Sequence, residues 1–347
     1  MHPSTLLAER LALGFAGAAI FVVLCAVVHA VARVIADRSA APRIQGASDA
    51  IVQALTGGDD APAVAALRRL SQRRRHEVLL PFAARGGNQR SLAELARSTG
   101  AEELGRKWRR SRRAWRRRHG SRIGALLAGP TDDIARLLTD RSPHVRAAAA
   151  EWAASSGDLG AVDLLFGLID DKAQGCSFAA MDALITLGLG TVPSLTVHLG
   201  ASDPGHLVKC LKIATHIADP SLGPPAILLL EHPDPQVRAQ AATSLGVTGA
   251  AAAIDHLHIA MLDPDAIVRE AAVTSLGRLH AWSSVAAVSD LLTDPMWVVR
   301  RAAVFALLAL GSPGTLALRA ALDGDDRVAS EIARLGLGLP RDVARSE

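Results

Sequence analysis

One pattern of apolar and polar residues recurs along the second half of the chain. Between residues 264 and 277 the sequence reads PDAIVREAAVTSLG, with Val268, Ala271, Ala272 and Leu276 at helical spacing. This spacing places the four side chains on one face of an α-helix. Similar stretches occupy residues 235–246 and 295–308, and a fourth starts at residue 143. The pattern therefore predicts a series of amphipathic helices.

The recurrence has a fixed length. Its arginines stand at positions 146, 238, 269 and 300, and the last three are 31 residues apart. A further apolar segment precedes the better copies, as in IDHLHIAML from Ile254 and VAAVSDLL from Val285. One unit is thus predicted to be a pair of antiparallel helices. Such a pair cannot bury its apolar faces alone, so it must stack on its neighbours.

The ends of the repeated helices also carry signals. Asp263 and Asp294 are each followed by Pro, and we expect each Asp to cap a helix that has the Pro in its first turn. Gly246 and Gly277 close the apolar pattern, so we expect the helices to end there.

The repeated unit resembles a HEAT repeat, in the short bacterial form that also occurs in phycobilin-lyase-type proteins. The matching residues are Asp263-Pro264 with Val268-Arg269 and Asp294-Pro295 with Val299-Arg300, whereas a third copy has His232 in place of the Asp. The resemblance implies an all-α fold, a right-handed α-solenoid of helical hairpins with the Val-Arg helix on the concave side. It also implies a ladder of Asp–Arg hydrogen bonds between repeats, built on Arg146, Arg238, Arg269 and Arg300.

The resemblance covers residues 137–335 well and residues 48–136 only loosely. The predicted units are 137–170, 171–202, 203–233 and three more whose second helices start near 234, 264 and 295; residues 336–347 are predicted to be a C-terminal tail. In the two degenerate units, Cys176-Ser177 and Val208-Lys209 stand where Val-Arg is expected. We therefore expect the ladder to be interrupted there.

The first apolar segment has a different character. Residues 11–32 are continuously apolar except for His29, and these 22 residues would extend about 33 Å as a helix at about 1.5 Å per residue. That length is enough to cross a hydrocarbon core of about 30 Å. We predict one transmembrane helix within an N-terminal anchor, residues 1–35. A buried helix of a soluble domain and a cleaved signal peptide are the alternatives.

Charges beside this segment predict its orientation. Arg33, Arg38 and Arg43 follow the segment, whereas Arg10 is the one basic residue before it. Because positive charge favours the cytoplasmic side, we expect a single-pass membrane protein with its C-terminal body in the cytoplasm. Residues 36–47 are expected to form a linker.

A basic helical region, residues 48–136, follows and is interpreted as divergent repeats. Up to Arg118 the chain has 21 basic and 9 acidic residues, and beyond it 17 basic and 25 acidic residues. The net charges of +12 and −8 show a strongly polarised chain. Most of the positive charge comes from the basic segment, residues 106–118, which reads RKWRRSRRAWRRR and has nine Lys or Arg in thirteen positions.

Three interpretations of the basic segment stay open. Trp108 and Trp115 are seven residues apart, so on one helix they would share a face and pack into the core while the arginines stay hydrated. The segment would also suit an anionic membrane surface, since basic clusters are attracted to it and Trp favours the interface. Binding to nucleic acid is less favoured, because no nucleic-acid-binding motif accompanies the charge. The residues concerned are Arg106, Lys107, Trp108, Arg109, Arg110, Arg112, Arg113, Trp115, Arg116, Arg117 and Arg118.

Catalytic signals are weak throughout. Neither a phosphate-binding loop nor a nucleophile elbow is present. Three widely separated cysteines predict neither a disulfide framework nor a metal site. His256 and His258 are two residues apart and would face different sides of a helix, and the His-Glu dipeptides of iron-binding HEAT-like hydroxylases occur once, at His76-Glu77. We expect a protein that is not an enzyme, with no catalytic residue, cofactor or metal.

The remaining candidate site is a surface. Stacked second helices make an extended concave face. The positions expected to be exposed on it are Gln236, Gln240, Glu270, Thr274, Arg278, Trp297 and Arg301. We predict a membrane-anchored scaffold or adaptor that binds a protein partner there, and a membrane enzyme would be one such partner. A phycobilin-lyase-like or other modifying enzyme subunit and a polyanion-binding protein are the alternatives.

Overall fold

A computed structural model describes residues 40–83, 89–127, 129, 132–249 and 251–339. The chain divides into two compact units, residues 1–129 and 130–347. Every regular element among the described residues is a helix, which confirms the all-α prediction. The predicted anchor, residues 1–35, and the last eight residues of the predicted tail lie outside the described residues.

Among the described residues, the first unit contains helices α1 to α6. Their bounds are 40–55 for α1, Ala61–Arg68 for α2, Gln72–Ala83 for α3, Gln89–Ser98 for α4, Ala101–Arg109 for α5 and Ala114–Leu127 for α6. Aliphatic side chains from all six helices form the core, among them Ile51, Leu67, Leu79, Leu92 and Ile123. Helix α1 includes positions 40–47, for which we expected a linker. Ala40 and Ala47 are buried, so the chain there contributes apolar surface to the unit.

The described part of the second unit is a row of seven helical hairpins. Its helices are α7 Asp133–Leu138, α8 Pro143–Ser156, α9 Val162–Leu168, α10 Gln174–Leu187, α11 Val192–His198, α12 Pro204–Ile217, α13 Gly223–Leu228, α14 Pro235–Thr248, α15 Ile254–Ala260, α16 Ala266–Arg278, α17 Val285–Asp290, α18 Trp297–Ala309, α19 Ser312–Leu322 and α20 Arg327–Gly336. Each second helix from α8 to α18 packs on the next one, as a solenoid requires.

The start of the repeated helices differs from the prediction. Helix α16 begins at Ala266, and its cap is Asp265, whose carboxylate accepts the N–H of Ile267. Asp263 instead accepts the N–H of Asp265 at 2.8 Å and so holds the turn before the helix. Asp294 does the same for Met296. The prediction placed the cap two residues early, because both Asp residues of the turn suit a cap.

The predicted helix ends at Gly246 and Gly277 are also wrong. Both glycines lie inside α14 and α16, and α14 ends only at Gly249, which has a positive φ. A Cβ atom on Gly246 would lie 2.7 Å from the Cα of Ser275, and one on Gly277 would lie 2.8 Å from the Cα of Ala306. The glycines therefore allow adjacent second helices to approach closely.

One described helical run is long and apolar enough to cross a membrane, Gln174–His198, with a mean hydropathy of 1.4. This run joins α10, the second helix of one hairpin, to α11, the first helix of the next hairpin, at Gly188, where φ is +60°. Leu184 and Leu195 are fully buried within the repeat unit. The run is therefore two shorter helices with a turn between them rather than one continuous helix.

Candidate protein-binding face

Three consecutive second helices form a groove of about 380 Å³, which we call the inner groove. Helices α12, α14 and α16 line it with Val208, Lys212, Gln236, Ala239, Gln240, Thr243, Ile267, Glu270, Ala271, Thr274, Ser275 and Arg278. Five of the seven predicted partner-binding residues are thus together in one groove: Gln236, Gln240, Glu270, Thr274 and Arg278. The spacing of 31 residues explains this, because it returns equivalent side chains to the same face.

The polar groups of the inner groove are only partly used within the protein. Gln240 donates from Nε2 to the hydroxyl of Thr215 at 3.4 Å, and Thr243 donates to the carbonyl of Ala239. The amide of Gln236 is exposed and makes no side-chain hydrogen bond to any described residue. Arg301, also predicted to contact a partner, lies 3.8 Å from Glu270 in an exposed ion pair. The groove thus presents hydrogen-bond donors and acceptors to solvent.

Trp297, the seventh predicted residue, lies away from the inner groove at the start of α18. Its ring is 48% exposed, and the guanidinium of Arg300 lies 5.6 Å from the ring centroid. The neighbouring Met296, also 48% exposed, lines a second open cleft of about 650 Å³ between the turns of two repeats. Asp263, Arg269 and Asp294 line the same cleft. Trp297 therefore does not line the inner groove, although Arg301 lies one turn further along the same helix.

The Asp–Arg ladder is present at three joints between repeats. Arg238 donates from Nε and Nη2 to the carboxylate of Asp263 at 2.7 and 2.9 Å, and Arg269 binds Asp294 in the same bidentate way. Arg146 binds Asp171 at 2.8 Å through Nε. The third guanidinium nitrogen of Arg238 donates to the carbonyls of its own turn. Each Arg therefore joins its own turn to the turn of the next repeat.

The ladder carboxylates are stabilised as anions. Burial alone would raise the pKa of Asp263, but hydrogen bonds from Arg238 and from the N–H of Asp265, with the charge of Arg238, hold the pKa below its usual value. The same balance, with Arg269 and the N–H of Met296 as donors, lowers the pKa of Asp294. A carboxyl group whose pKa is lower in the folded chain than in the unfolded chain stabilises the fold at pH values above its unfolded pKa. This stabilisation is lost as the pH falls through its pKa in the folded chain.

The ladder is interrupted at the joints where the sequence departs from the pattern. Helix α12 starts 30 residues after α10, one fewer than in the other repeats, so Leu207 rather than Lys209 occupies the Arg position. The acidic partner is absent as well. His232 stands at the Asp position of the following repeat and accepts the N–H of Asp234 through Nδ1. Ser177 and Ala201 form the corresponding pair at the preceding joint.

Arg300, the fourth predicted ladder residue, has no ion pair within the described part of the chain. Gly324 occupies the position where the next repeat would supply an Asp. Arg300 donates to the carbonyls of Asp294 and Pro295 and lies over Trp297. Arg300 therefore stabilises its own turn rather than joining it to another repeat.

A cluster of titratable side chains bridges the joint between α10 and α12. His206 uses Nδ1 to bind Asp170 at 2.5 Å and Nε2 to bind His198 at 3.0 Å. Lys209 donates to the other oxygen of Asp170 at 2.8 Å, and the ring of His198 stacks on Phe166. Because this joint lacks the Arg–Asp pair, the cluster supplies its polar connection. The cluster was not predictable from the repeat pattern, since its residues do not recur in the other repeats.

This cluster predicts a pH-dependent joint. Burial and the neighbouring His206 lower the pKa of His198, although Asp163 and Asp170 oppose the shift. His198 therefore binds a proton more readily in the unfolded chain than in the folded chain. The joint should consequently lose stability as the pH falls below about 6.5, the usual pKa of a histidine. Hydrogen exchange in peptides of α11 and α12, corrected for intrinsic rates, is expected to speed up between pH 7.5 and 5.5 relative to α16 and α18. Equal pH sensitivity in wild type and His198→Gln would contradict this account.

The basic segment forms two helices rather than one. Helix α5 ends at Arg109 and α6 starts at Ala114, so Trp108 and Trp115 do not share a helical face as predicted. Their rings nevertheless pack edge to face, 5.8 Å apart, and both contact His119. Arg117 donates from Nη1 to the carbonyls of Ser111 and Arg112. The turn between the helices is thus held by one of the arginines of the segment.

The structure divides the eleven predicted polyanion-binding residues into two groups. Trp108 and Arg109 are buried, at 8% and 6% exposure, and Arg116 and Arg117 are half-buried. Seven are exposed: Arg106, Lys107, Arg110, Arg112, Arg113, Trp115 and Arg118. Among them Trp115 is 39% exposed, with the guanidinium of Arg116 5.3 Å from its ring. The positive surface of the basic segment therefore consists of six exposed basic side chains and Trp115.

The described residues were compared with the predicted absence of metal ligands and reactive thiols. None of its His, Cys, Asp and Glu side chains form a group of three that suits a metal ion. Burial raises the pKa of Cys210 to about 12 and also raises the pKa of Cys176, so both thiols stay protonated. Of the two histidines considered at the sequence level, His258 binds the hydroxyl of Ser284 at 2.6 Å and His256 is exposed.

Comparison with known proteins supports the repeat architecture. The family model for HEAT repeats matches residues 192–272 and 257–338. A search of curated proteins gives no significant match to this chain.

Solved structures with a similar fold include three kinds of protein. Kap121p bound to Pho4p is 14% identical over 85% of this chain and 41% of its own, with a TM-score of 0.51. An engineered protein is 19% identical over 85% and 94%, with a TM-score of 0.40. The CpcE–CpcF complex of phycocyanin lyase from Nostoc sp. PCC7120 is 21% identical over 61% and 96%, with a TM-score of 0.38. The chain spans about two-fifths of Kap121p, and the likeness concerns the fold alone.

Proposed function

We propose that this protein is a non-catalytic scaffold or adaptor that binds a protein partner in the inner groove. The observation that carries the proposal is the groove itself, an open surface across three helices with Gln236, Thr274 and Arg278 presented to solvent. Polar side chains that are not used internally suit recognition of another protein. The HEAT repeats supply the solenoid on which this surface is built.

The proposal includes an attachment to the membrane. The apolar segment 11–32 has the length and composition of a transmembrane helix, and Arg33, Arg38 and Arg43 after it favour a cytoplasmic body. An adaptor held in this way would meet partners that are themselves at the membrane, of which a membrane enzyme is one class.

Affinity purification from native membranes tests the proposal. The variant carries Glu270→Lys, Arg278→Glu and Arg301→Glu, which reverse three exposed or half-buried charges. We expect a dominant partner of the wild-type protein to be lost from the variant, because reversed charges oppose both steering and binding. A control reverses Arg319, Arg327 and Glu331 instead, and it should keep the partner. An unchanged set of co-purifying proteins in the groove variant would contradict the proposal.

A second candidate function rests on the positive surface of the basic segment. We propose that Arg110, Arg112, Arg113 and Trp115 contact anionic lipid, since exposed basic residues and Trp suit a negatively charged membrane surface. In nanodiscs, phosphatidylserine should slow hydrogen exchange around residues 110–113 relative to phosphatidylcholine. Reversing the three arginines to Glu should abolish this protection, whereas reversing Arg141, Arg319 and Arg327 should not. Protection that persists after the first change would exclude this role.

A further inference from the structure

The inner groove lies between two exposed aromatic side chains. Phe178 on α10 is 68% exposed, and Phe305 on α18 is 64% exposed. Residues at the same distance from the start of each second helix occupy equivalent positions. By this measure Phe178 is equivalent to Val208, Ala239 and Glu270, which line the groove. Phe305 is equivalent to Lys212, Thr243 and Thr274, which also line it. The two phenylalanines therefore stand on the same face, one before the groove and one after it.

Their separation indicates the length of a ligand that would touch both. From α10 to α18 there are four steps between neighbouring second helices. At about 8–10 Å a step, the two rings are roughly 32–40 Å apart. An extended polypeptide rises about 3.3 Å per residue, so about ten to twelve residues would cover this distance.

Positive side chains outnumber negative ones between the two rings. Lys212 and Arg278 are exposed in the groove and make no ion pair with any described residue, while Arg301 has Glu270 beside it. Asp182 is the exposed acidic residue at the Phe178 end. A ligand with carboxylates in its middle would therefore be attracted, whereas a basic ligand would be repelled.

The hydrogen-bonding groups favour an extended main chain. Gln236 offers both a donor and an acceptor to solvent, and the hydroxyl of Thr274 makes no side-chain hydrogen bond with the described residues. An extended segment has free N–H and C=O groups that can pair with such side chains, whereas those of a helix are already used.

We propose that the inner face of α10 to α18 binds an extended acidic segment of a partner protein, about ten to twelve residues long, with an apolar side chain at each end. The apolar side chains pack on Phe178 and Phe305, and carboxylates between them pair with Lys212 and Arg278. The inference rests on the proposed function, since it specifies which part of a partner the groove takes.

A phage-displayed library of random 16-residue peptides, panned against the full-length protein, tests the inference. We expect enriched peptides to carry two apolar residues about nine to eleven positions apart, with Asp or Glu between them. Failure to enrich any peptide, or enrichment of basic peptides, would overturn it. If no peptide is enriched while a protein partner depends on the groove charges, the partner presents a folded surface and only this inference fails.

Substitutions locate the bound peptide. Fluorescence anisotropy with the most enriched peptide should show about tenfold weaker binding to Phe305→Ser and to Phe178→Ser, because each removes one apolar contact. Lys212→Glu with Arg278→Glu should weaken binding at least tenfold. Trp282→Ser and Arg319→Glu, exposed on other helices, are the matched controls and should leave the affinity within twofold. Equal effects of both sets would place the peptide elsewhere and overturn the inference.

Discussion

Asp263→Ala is expected to lower the free energy of unfolding of the repeat unit by about 3 kcal/mol. The substitution leaves the guanidinium of Arg238, 14% exposed in its side chain, without the carboxylate that it binds through two nitrogens. Removing one partner of a buried ion pair costs about 3–5 kcal/mol, because the remaining charge is left without compensation. The N–H of Asp265 also loses its acceptor. Urea unfolding followed by circular dichroism measures the loss.

The chain itself suggests the control for this prediction. Arg238→Leu combined with Asp263→His reproduces the pair Leu207 and His232 of the interrupted joint, where a histidine accepts the N–H of the turn. The double variant should be more stable than Asp263→Ala, since no buried cation remains. Glu270→Gln, which breaks an exposed pair, should change stability by less than about 1 kcal/mol. A loss from Asp263→Ala as small as this would show that the ladder does not hold the repeats together.

Gly246→Ala is expected to cost about 2–3 kcal/mol, the second large effect. The added Cβ atom would lie 2.6 Å from the Cβ and 2.7 Å from the Cα of Ser275 on the neighbouring helix. One of these distances is to the backbone, so a rotamer change cannot relieve the overlap and α14 and α16 must separate. Overpacking of this kind typically costs about 1–3 kcal/mol. The same urea experiment measures it.

Gly175→Ala is the matched control. Gly175 also lies in a second helix, α10, but a Cβ there meets nothing within 4 Å. Alanine is favoured over glycine in helices by up to about 1 kcal/mol, so this variant should be neutral or more stable. Equal losses at both positions would mean that the close approach of α14 and α16 does not limit stability.

Much of the fold was predictable because the same sequence pattern occurs in several repeats. The 31-residue spacing, the apolar stripe and the preceding apolar segment predicted the hairpins of the second unit. Local signals failed where two residues suited one role. Asp263 and Asp265 are both capable caps, and only the backbone shows that Asp265 caps the helix while Asp263 holds the turn and binds Arg238.

The glycines and the candidate site show a second limit of sequence reasoning. A glycine at the end of an apolar pattern is typical of a helix terminus, but Gly246 meets Ser275 of another repeat, and no local pattern reports that contact. Sequence reasoning selected most of the inner groove because it followed the well-formed repeats. It missed Lys212 and Phe178, which lie in degenerate repeats. Aligning these by helix start rather than by Val-Arg would have found both.

Site-specific photo-crosslinking in native membranes tests whether a protein partner binds in the inner groove. The photoreactive residue is placed at Gln236 or Thr274 in the groove, and at His256 or Ala286, which are exposed on first helices. We expect one dominant protein to be captured from both groove positions and to be lost when Lys212 and Arg278 are reversed to Glu. Capture from His256 and Ala286 alone would show that the partner binds elsewhere.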